Sequence, residues 1–145
     1  MNWELIPCCY IVGERSTSKK AKQDPPVNLL KRRFHHEQSA KACVSDITYI
    51  PGLDEFLYLT VVLGLFDRKL IGWSICDSMS ASSTVIPAIR MAKRNRIFNQ
   101  GMIFHSDRGV QYASKHTVNV LESLKACQSK SRKGNCWDNV VAEDF

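Results

Sequence analysis

The sequence predicts an α/β domain with a mixed sheet and helices on both faces, and three observations predict it. Three short apolar runs separated by turns follow one another between residues 44 and 75. A helix-periodic stretch then leads to a short apolar run at 102–104, and a second helical stretch precedes a brief strand near Cys127. A meander followed by alternating helices and strands is typical of a sheet with antiparallel and parallel neighbours.

The meander is predicted from three strands. The first runs from Val44 to Ile50, where β-branched and aromatic residues precede a Pro51-Gly52 turn. Residues 57–63 and 69–75 have the same character, and the short connection between them suits antiparallel neighbours.

Two helices and two further strands complete the domain. Apolar spacing of i, i+3, i+4 and i+7 predicts the first helix, with an inward stripe of Val85, Ala88, Ile89 and Ala92. Thr84 and nearby serines are candidate N-caps, and Pro87 must lie in the first turn. Met102 to Phe104 predict a buried strand that ends at Asp107. The second helix is predicted from Ser114 to Lys125, with Val118, Leu121 and Leu124 inward.

The character of the sequence changes near residue 41. Residues 15–41 hold eight basic side chains against two acidic ones, a net +6 that equals the formal charge of the whole chain. We therefore expect residues 1–40 to be a basic, mobile arm and residues 41–145 to be the core domain. The arm is suited to neutralising phosphates, although charge alone fits a solvated linker equally well.

Cysteine usage and hydropathy indicate the compartment. The six cysteines show no C-x-x-C pair and no regular spacing, which favours reduced thiols over a zinc site or a disulfide framework. The chain has no apolar run of about 18 residues, and its first 13 residues make a poor secretion signal. We therefore expect a cytoplasmic protein.

Three acidic residues occupy unusual positions. Asp46 lies within an apolar strand, Asp107 ends a buried one, and Glu143 lies on a helix predicted to begin at Trp137. A carboxylate in a half-buried strand is costly unless something positive neutralises it, and Mg²⁺ prefers such hard oxygen ligands. For any one of these residues alone, a solvated or salt-bridged acid is the better explanation.

Four segments together resemble a known family. They are SDITYI (45–50), LYLTVVLGLFDRKLIGWS (57–74), IFHSDRGVQY (103–112) and SRKGNCWDNVVAE (131–143). They resemble the core of bacterial insertion-sequence transposases related to retroviral integrases, which have a ribonuclease-H-like fold. The resemblance spans residues 27–145, and 35 residues separate Asp107 from Glu143, the spacing of the family's two-aspartate, one-glutamate signature.

The resemblance implies DNA transposition by metal-dependent strand cleavage and strand transfer. It implies that Asp46 bridges two Mg²⁺ or Mn²⁺ ions and that Asp107 and Glu143 each help to hold one. It also implies that the partners are transposon ends and target DNA. The active complex would be a homo-oligomer that associates with the bacterial nucleoid when on DNA.

A basic loop at 129–136 is the predicted DNA contact. Lys130, Arg132 and Lys133 lie just before the Glu143 helix, where they would bind the DNA backbone; a solvated surface loop is the alternative.

Two positions depart from the family pattern, since Cys43 replaces a usual tryptophan and Gly64 a usual aspartate. The chain also starts without a recognisable helix-turn-helix and stops two residues after Glu143, so we expect a C-terminally truncated fragment. The alternatives are an inactive remnant that still binds nucleic acid and a nuclease acting on RNA–DNA hybrids.

Overall fold

The computed structural model describes residues 28–31, 37–38 and 40–131. The elements in this part of the chain follow the order β1 (Ala42–Pro51), β2 (Phe56–Gly64), β3 (Leu70–Cys76), α1 (Val85–Asn95), β4 (Ile103–Ser106), α2 (Val110–Ala113), α3 (Lys115–Ser123) and β5 (Cys127–Lys130). The helix predicted from Trp137 lies outside the described residues.

The five strands form one mixed sheet in the order β3-β2-β1-β4-β5. The pairs β1–β2 and β2–β3 are antiparallel, which confirms the predicted meander. The pairs β1–β4 and β4–β5 are parallel. Because parallel strands cannot be joined by a hairpin, the chain crosses from β3 to β4 through α1.

The described helices pack on one face of the sheet. The predicted stripe of α1 is buried in full, and Pro87 lies in its first turn, as expected. In α3 the prediction that Val118, Leu121 and Leu124 face the core is correct at Leu121, whereas Val118 and Leu124 are only partly buried. Thr84 is the N-cap residue of α1, but its side chain does not cap the helix and instead donates to the carbonyl of Ser80. None of the helices in the described residues is long and apolar enough to cross a membrane.

The contact between β3 and α1 requires a glycine. A Cβ added at Gly72 would lie 2.3 Å from the carbonyl oxygen of Ala88 and 2.7 Å from the backbone nitrogen of Ala92. Both contacts are with backbone atoms, which cannot rotate away as a side chain can. The helix therefore approaches the strand at a distance that only glycine allows.

The opposite face of the sheet is covered in part by residues 28–31. Leu30 is 1% exposed and packs in a cluster with Ala42, Val44, Leu63 and Leu65. The backbone N–H groups of Leu29 and Leu30 donate to Ser129 Oγ at 2.9 and 3.2 Å. The chain therefore already packs against the sheet at Leu30, while the division of the chain at residue 41 stays a prediction.

We expect Leu30→Ala to lower the free energy of unfolding by about 3 kcal/mol, because it removes a wholly buried side chain and leaves a cavity. Urea denaturation measures the change. The control is Leu53→Ala, since Leu53 is fully exposed and its loss should cost less than about 0.5 kcal/mol. If both variants are equally stable, residues 28–31 do not pack on the sheet in solution.

The redox state of the cysteines differs from the expected reduced thiols at one position. Cys43 and Cys76 are free thiols, and burial raises the pKa of the Cys43 thiol far above its usual range. Cys127 is disulfide-bonded, so the prediction of reduced thiols is wrong there. Its partner lies outside the described residues.

Candidate active site

The parallel pairing of β1 and β4 brings Asp46 and Asp107 together. Val44 lies opposite His105, and each aspartate follows two residues later. Side chains two positions apart share a face of a sheet, and neighbouring strands lie about 4.8 Å apart. The register therefore places Asp46 and Asp107 at neighbouring positions just beyond the last paired residues, and both residues are partly exposed to solvent.

The carboxylate of Asp107 is oriented by the turn that follows it. The backbone N–H of Gly109 donates to Asp107 Oδ1 at 2.8 Å. A Cβ at position 109 would lie 3.0 Å from the same oxygen, tighter than nearly all real contacts of this kind. The missing side chain thus leaves room for the carboxylate.

Tyr112 lies behind the two carboxylates, on the helix-covered face of β1. Its side chain is completely buried, and its hydroxyl lies 2.8 Å from Ser45 Oγ. Burial raises the pKa of Tyr112 well above its usual value; the hydrogen bond with Ser45 opposes this, and the charges of Asp46 and Asp107 raise the pKa further. Both carboxylates therefore act electrostatically on one neutral hydroxyl, in agreement with their placement by the sheet.

Lys130 lies in a different environment from the one predicted. It is the last residue of β5 and pairs with Ser106, because the strand continues beside β4 to this point. Its side chain is only 6% exposed. Burial lowers the pKa of Lys130, the positive charge of Arg108 lowers it further, and Asp107 opposes both. Ser129 and Lys130 therefore belong to β5 and not to the expected loop, and Lys130 is buried near Asp107.

Arg108 and Ser131 tie the end of β5 to the segment that carries Asp107. Arg108 Nε donates to the carbonyl of Ser131 at 2.8 Å, and the N–H of Ser131 donates to the carbonyl of Ser106 at 3.0 Å. The charge of Lys130 thus interacts both with Arg108 and with the carboxylate of Asp107. The other predicted site residues, Arg132, Lys133 and Glu143, lie outside the described residues.

His105 belongs to the structural support of the site. It is fully buried, and its Nδ1 lies 2.8 Å from Ser129 Oγ. Because that oxygen already accepts the N–H groups of Leu29 and Leu30, its hydroxyl proton is directed to His105 Nδ1. This arrangement joins the N-terminal segment to the strand that leads to Asp107.

The carboxylate pair suits a hard divalent cation. Mg²⁺ and Mn²⁺ favour carboxylate oxygens, and Mg²⁺ needs only one or two of them besides water and phosphate oxygens. Within residues 28–31, 37–38 and 40–131, no group of three His, Cys, Asp or Glu side chains is placed to hold a metal ion. The predicted third ligand, Glu143, is not in that part of the chain.

Residues 36–136 match the integrase core domain family, and the matched region contains both aspartates. The chain belongs to this family of transposases and integrases. It is 36% identical over 118 residues to the transposase for insertion sequence element IS904 of Lactococcus lactis, an alignment that covers 81% of this chain and 46% of that protein. The chain spans less than half the length of the curated relatives that it matches.

Solved integrases share the fold. A chain of the simian T-cell lymphotropic virus intasome, solved with the PP2A regulatory subunit B56 gamma, superposes with a TM-score of 0.66 at 14% identity, covering 76% of this chain and 38% of that one. The HTLV-2 integrase catalytic core domain in complex with magnesium (dimeric form) gives 0.54 at 13% identity, covering 63% and 61%. The fold is therefore the ribonuclease-H-like fold of integrase cores, as the resemblance implied.

Proposed function

We propose that this chain is the catalytic core of an enzyme that transposes DNA by metal-dependent strand cleavage and strand transfer, with Asp46, Asp107 and Glu143 as the catalytic residues. One observation carries the proposal: in a chain of the integrase core family, the sheet register brings together the segments that carry Asp46 and Asp107. The insertion-sequence transposase from Lactococcus lactis supports DNA as the substrate.

Asp46 and Asp107 would hold Mg²⁺ or Mn²⁺, with Glu143 completing the set and two ions expected. When bound, such ions activate water or a 3′-hydroxyl and stabilise the leaving oxygen. The HTLV-2 integrase core complex with magnesium supports this choice of cofactor. The protein contributes position, because β1 holds the backbone of Asp46 in a sheet and Gly109 orients Asp107. Phosphoryl transfer depends on such positioning and on charge neutralisation.

The cationic residues would hold the DNA. Arg132 and Lys133 are proposed to bind backbone phosphates outside the site, as such contacts position a duplex without reading its sequence. Lys130 is buried beside Asp107 and would act on the phosphate at the site itself. The active assembly is proposed to be a homo-oligomer on transposon ends and target DNA.

A cleavage assay tests the proposal. The chain is incubated with labelled duplex DNA in Mg²⁺, in Mn²⁺ or in EDTA, and we expect strand cleavage with either metal and none in EDTA. An RNA–DNA hybrid of the same sequence is the competitor. Faster cleavage of the hybrid than of the duplex would contradict the transposase assignment and favour a ribonuclease-H-type activity. A second chain is extended beyond Phe145 with the corresponding residues of the Lactococcus relative. Cleavage by the extended chain alone would show that the site of the shorter chain is incomplete; cleavage by neither would show that the site is absent.

The second candidate function is nucleic-acid binding without catalysis, favoured by the net charge of +6 and by the charge of Lys130 near Asp107. We expect weak, largely sequence-independent duplex binding that falls steeply with salt. Replacing Arg132 and Lys133 with alanine should reduce the slope of log affinity against log salt by about 2, since each phosphate contact contributes about 0.9. Fluorescence anisotropy measures the slope.

Lys93 and Arg94 provide the matched control, because they are an exposed lysine–arginine pair in the last turn of α1. Their replacement by alanine should leave the slope unchanged. Binding that does not respond to salt between about 50 and 200 mM would contradict the backbone-contact proposal.

A further inference from the structure

A buried hydrogen-bond chain connects the segments that carry the two aspartates. Ser45 Oγ donates to the carbonyl of Val61 at 2.8 Å. A serine hydroxyl has one hydrogen, so the 2.8 Å contact between Ser45 and Tyr112 requires the tyrosine to donate. The chain therefore runs from Tyr112 to Ser45 to Val61, joining α2, β1 and β2.

This chain lies where the strand ladder stops. The pairing of β1 with β4 ends at Val44 and His105, and Asp107 follows β4. Ser45 directly precedes Asp46, while Tyr112 lies in the helix that follows the Asp107 turn. Beyond the last strand pair, the bond between Ser45 and Tyr112 therefore ties the two segments together.

The environment makes this bond stronger than a surface contact. Ser45 and Tyr112 are both fully buried, so water cannot replace either partner. Loss of Ser45 would leave the buried hydroxyl of Tyr112 without this partner, whereas loss of the Tyr112 hydroxyl would leave Ser45 with its bond to Val61. The ring of Tyr112 packs separately, against Phe104 at a centroid distance of 6.3 Å. Removal of the hydroxyl alone should therefore preserve the packing.

We propose that Tyr112 is a positioning residue whose hydroxyl, through Ser45, sets the spacing of Asp46 and Asp107 and so their affinity for a divalent metal. This inference rests on the proposed function, since it assigns the metal to the same two carboxylates. Groups that orient metal ligands without touching the metal typically contribute 10- to 100-fold in affinity. The expected loss on removing the hydroxyl is therefore about tenfold.

Isothermal titration with Mn²⁺, in the absence of DNA, tests the proposal. Tyr112→Phe should weaken Mn²⁺ binding about tenfold. A merely structural role would lower the melting temperature in EDTA without changing metal affinity at a temperature where the protein is folded. The matched control is Tyr58→Phe, which removes a hydroxyl from a tyrosine stacked edge-on with Tyr49 and should leave affinity unchanged.

Ser45→Ala tests the positioning role independently, and it stays informative if Tyr112→Phe folds poorly. It should weaken Mn²⁺ binding at least as much, because it removes both the bond from Tyr112 and the bond to Val61. The double variant should bind no more weakly than Ser45→Ala alone, because Tyr112→Phe removes only a bond that Ser45→Ala has already broken. Wild-type affinity in Tyr112→Phe or in Ser45→Ala would overturn the positioning role.

Asp46→Asn separates this proposal from the proposed function. If it abolishes Mn²⁺ binding while Tyr112→Phe has no effect, the metal site stands and the positioning role fails. If Asp46→Asn binds Mn²⁺ as the wild type does, the metal site itself is wrong and the positioning role falls with it.

Discussion

Asp46→Asn and Asp107→Asn should each reduce metal-dependent DNA cleavage by at least about 100-fold, the scale on which loss of one electrostatic group at a reacting centre acts. The amide keeps the shape of the side chain but loses the charge that holds a cation. Gel analysis of labelled DNA in Mg²⁺ measures the loss. The affinity for DNA should stay the same or increase, because a negative charge near phosphate has been removed.

Asp54→Asn is the matched control for these variants. Asp54 is exposed in the connection between β1 and β2, so the same chemical change there should leave cleavage unaltered. Circular dichroism should show the same fold in all three variants. Substantial cleavage by Asp46→Asn or Asp107→Asn in Mg²⁺ would show that the carboxylate pair is not the catalytic site.

Gly72→Ala should lower the free energy of unfolding by about 4 kcal/mol, above the usual range for overpacking. The added methyl would meet the backbone of Ala88 and Ala92 at 2.3 and 2.7 Å, so α1 must move away from β3 or the strand must bend. Displacement of α1 would loosen Val85 and Ile89, which are wholly buried in the main core. Urea denaturation measures the effect.

Gly64→Ala is the control for the glycine experiment, because a Cβ there would meet its nearest neighbour at 3.5 Å, an ordinary contact. Gly64→Ala should change the free energy of unfolding by less than about 0.5 kcal/mol, as a surface substitution does. A loss of less than about 1 kcal/mol in Gly72→Ala would show that α1 is free to shift away from the sheet.

Local patterns in the sequence predicted most of the sheet and the main helix. The three meander strands extend at most two residues beyond their predicted bounds, since apolar and β-branched runs between turns are a local property. The buried stripe of α1 was predicted residue by residue, because helical periodicity alone decides which side faces the core.

Features that depend on distant contacts were not predicted. Leu30 stands in a basic segment without periodicity, and only the folded sheet shows that it is buried. Lys130 appeared to be a loop residue because its burial comes from pairing with β4. The bond between Tyr112 and Ser45 joins residues 67 positions apart, which no local pattern reveals. The proposed metal role of Asp46 and Asp107 came from family resemblance, since each aspartate alone fits an ordinary surface acid.

The parallel pairing of β1 and β4 also decides when the site forms during synthesis. A nascent chain that has completed β1, β2 and β3 can fold its antiparallel meander, but it contains only the first of the two paired aspartates. Asp107 reaches Asp46 only after α1 and β4 have emerged and the crossover has closed, a non-local step that is slow compared with hairpin formation. An unfinished polypeptide on the ribosome therefore does not yet carry the proposed metal site.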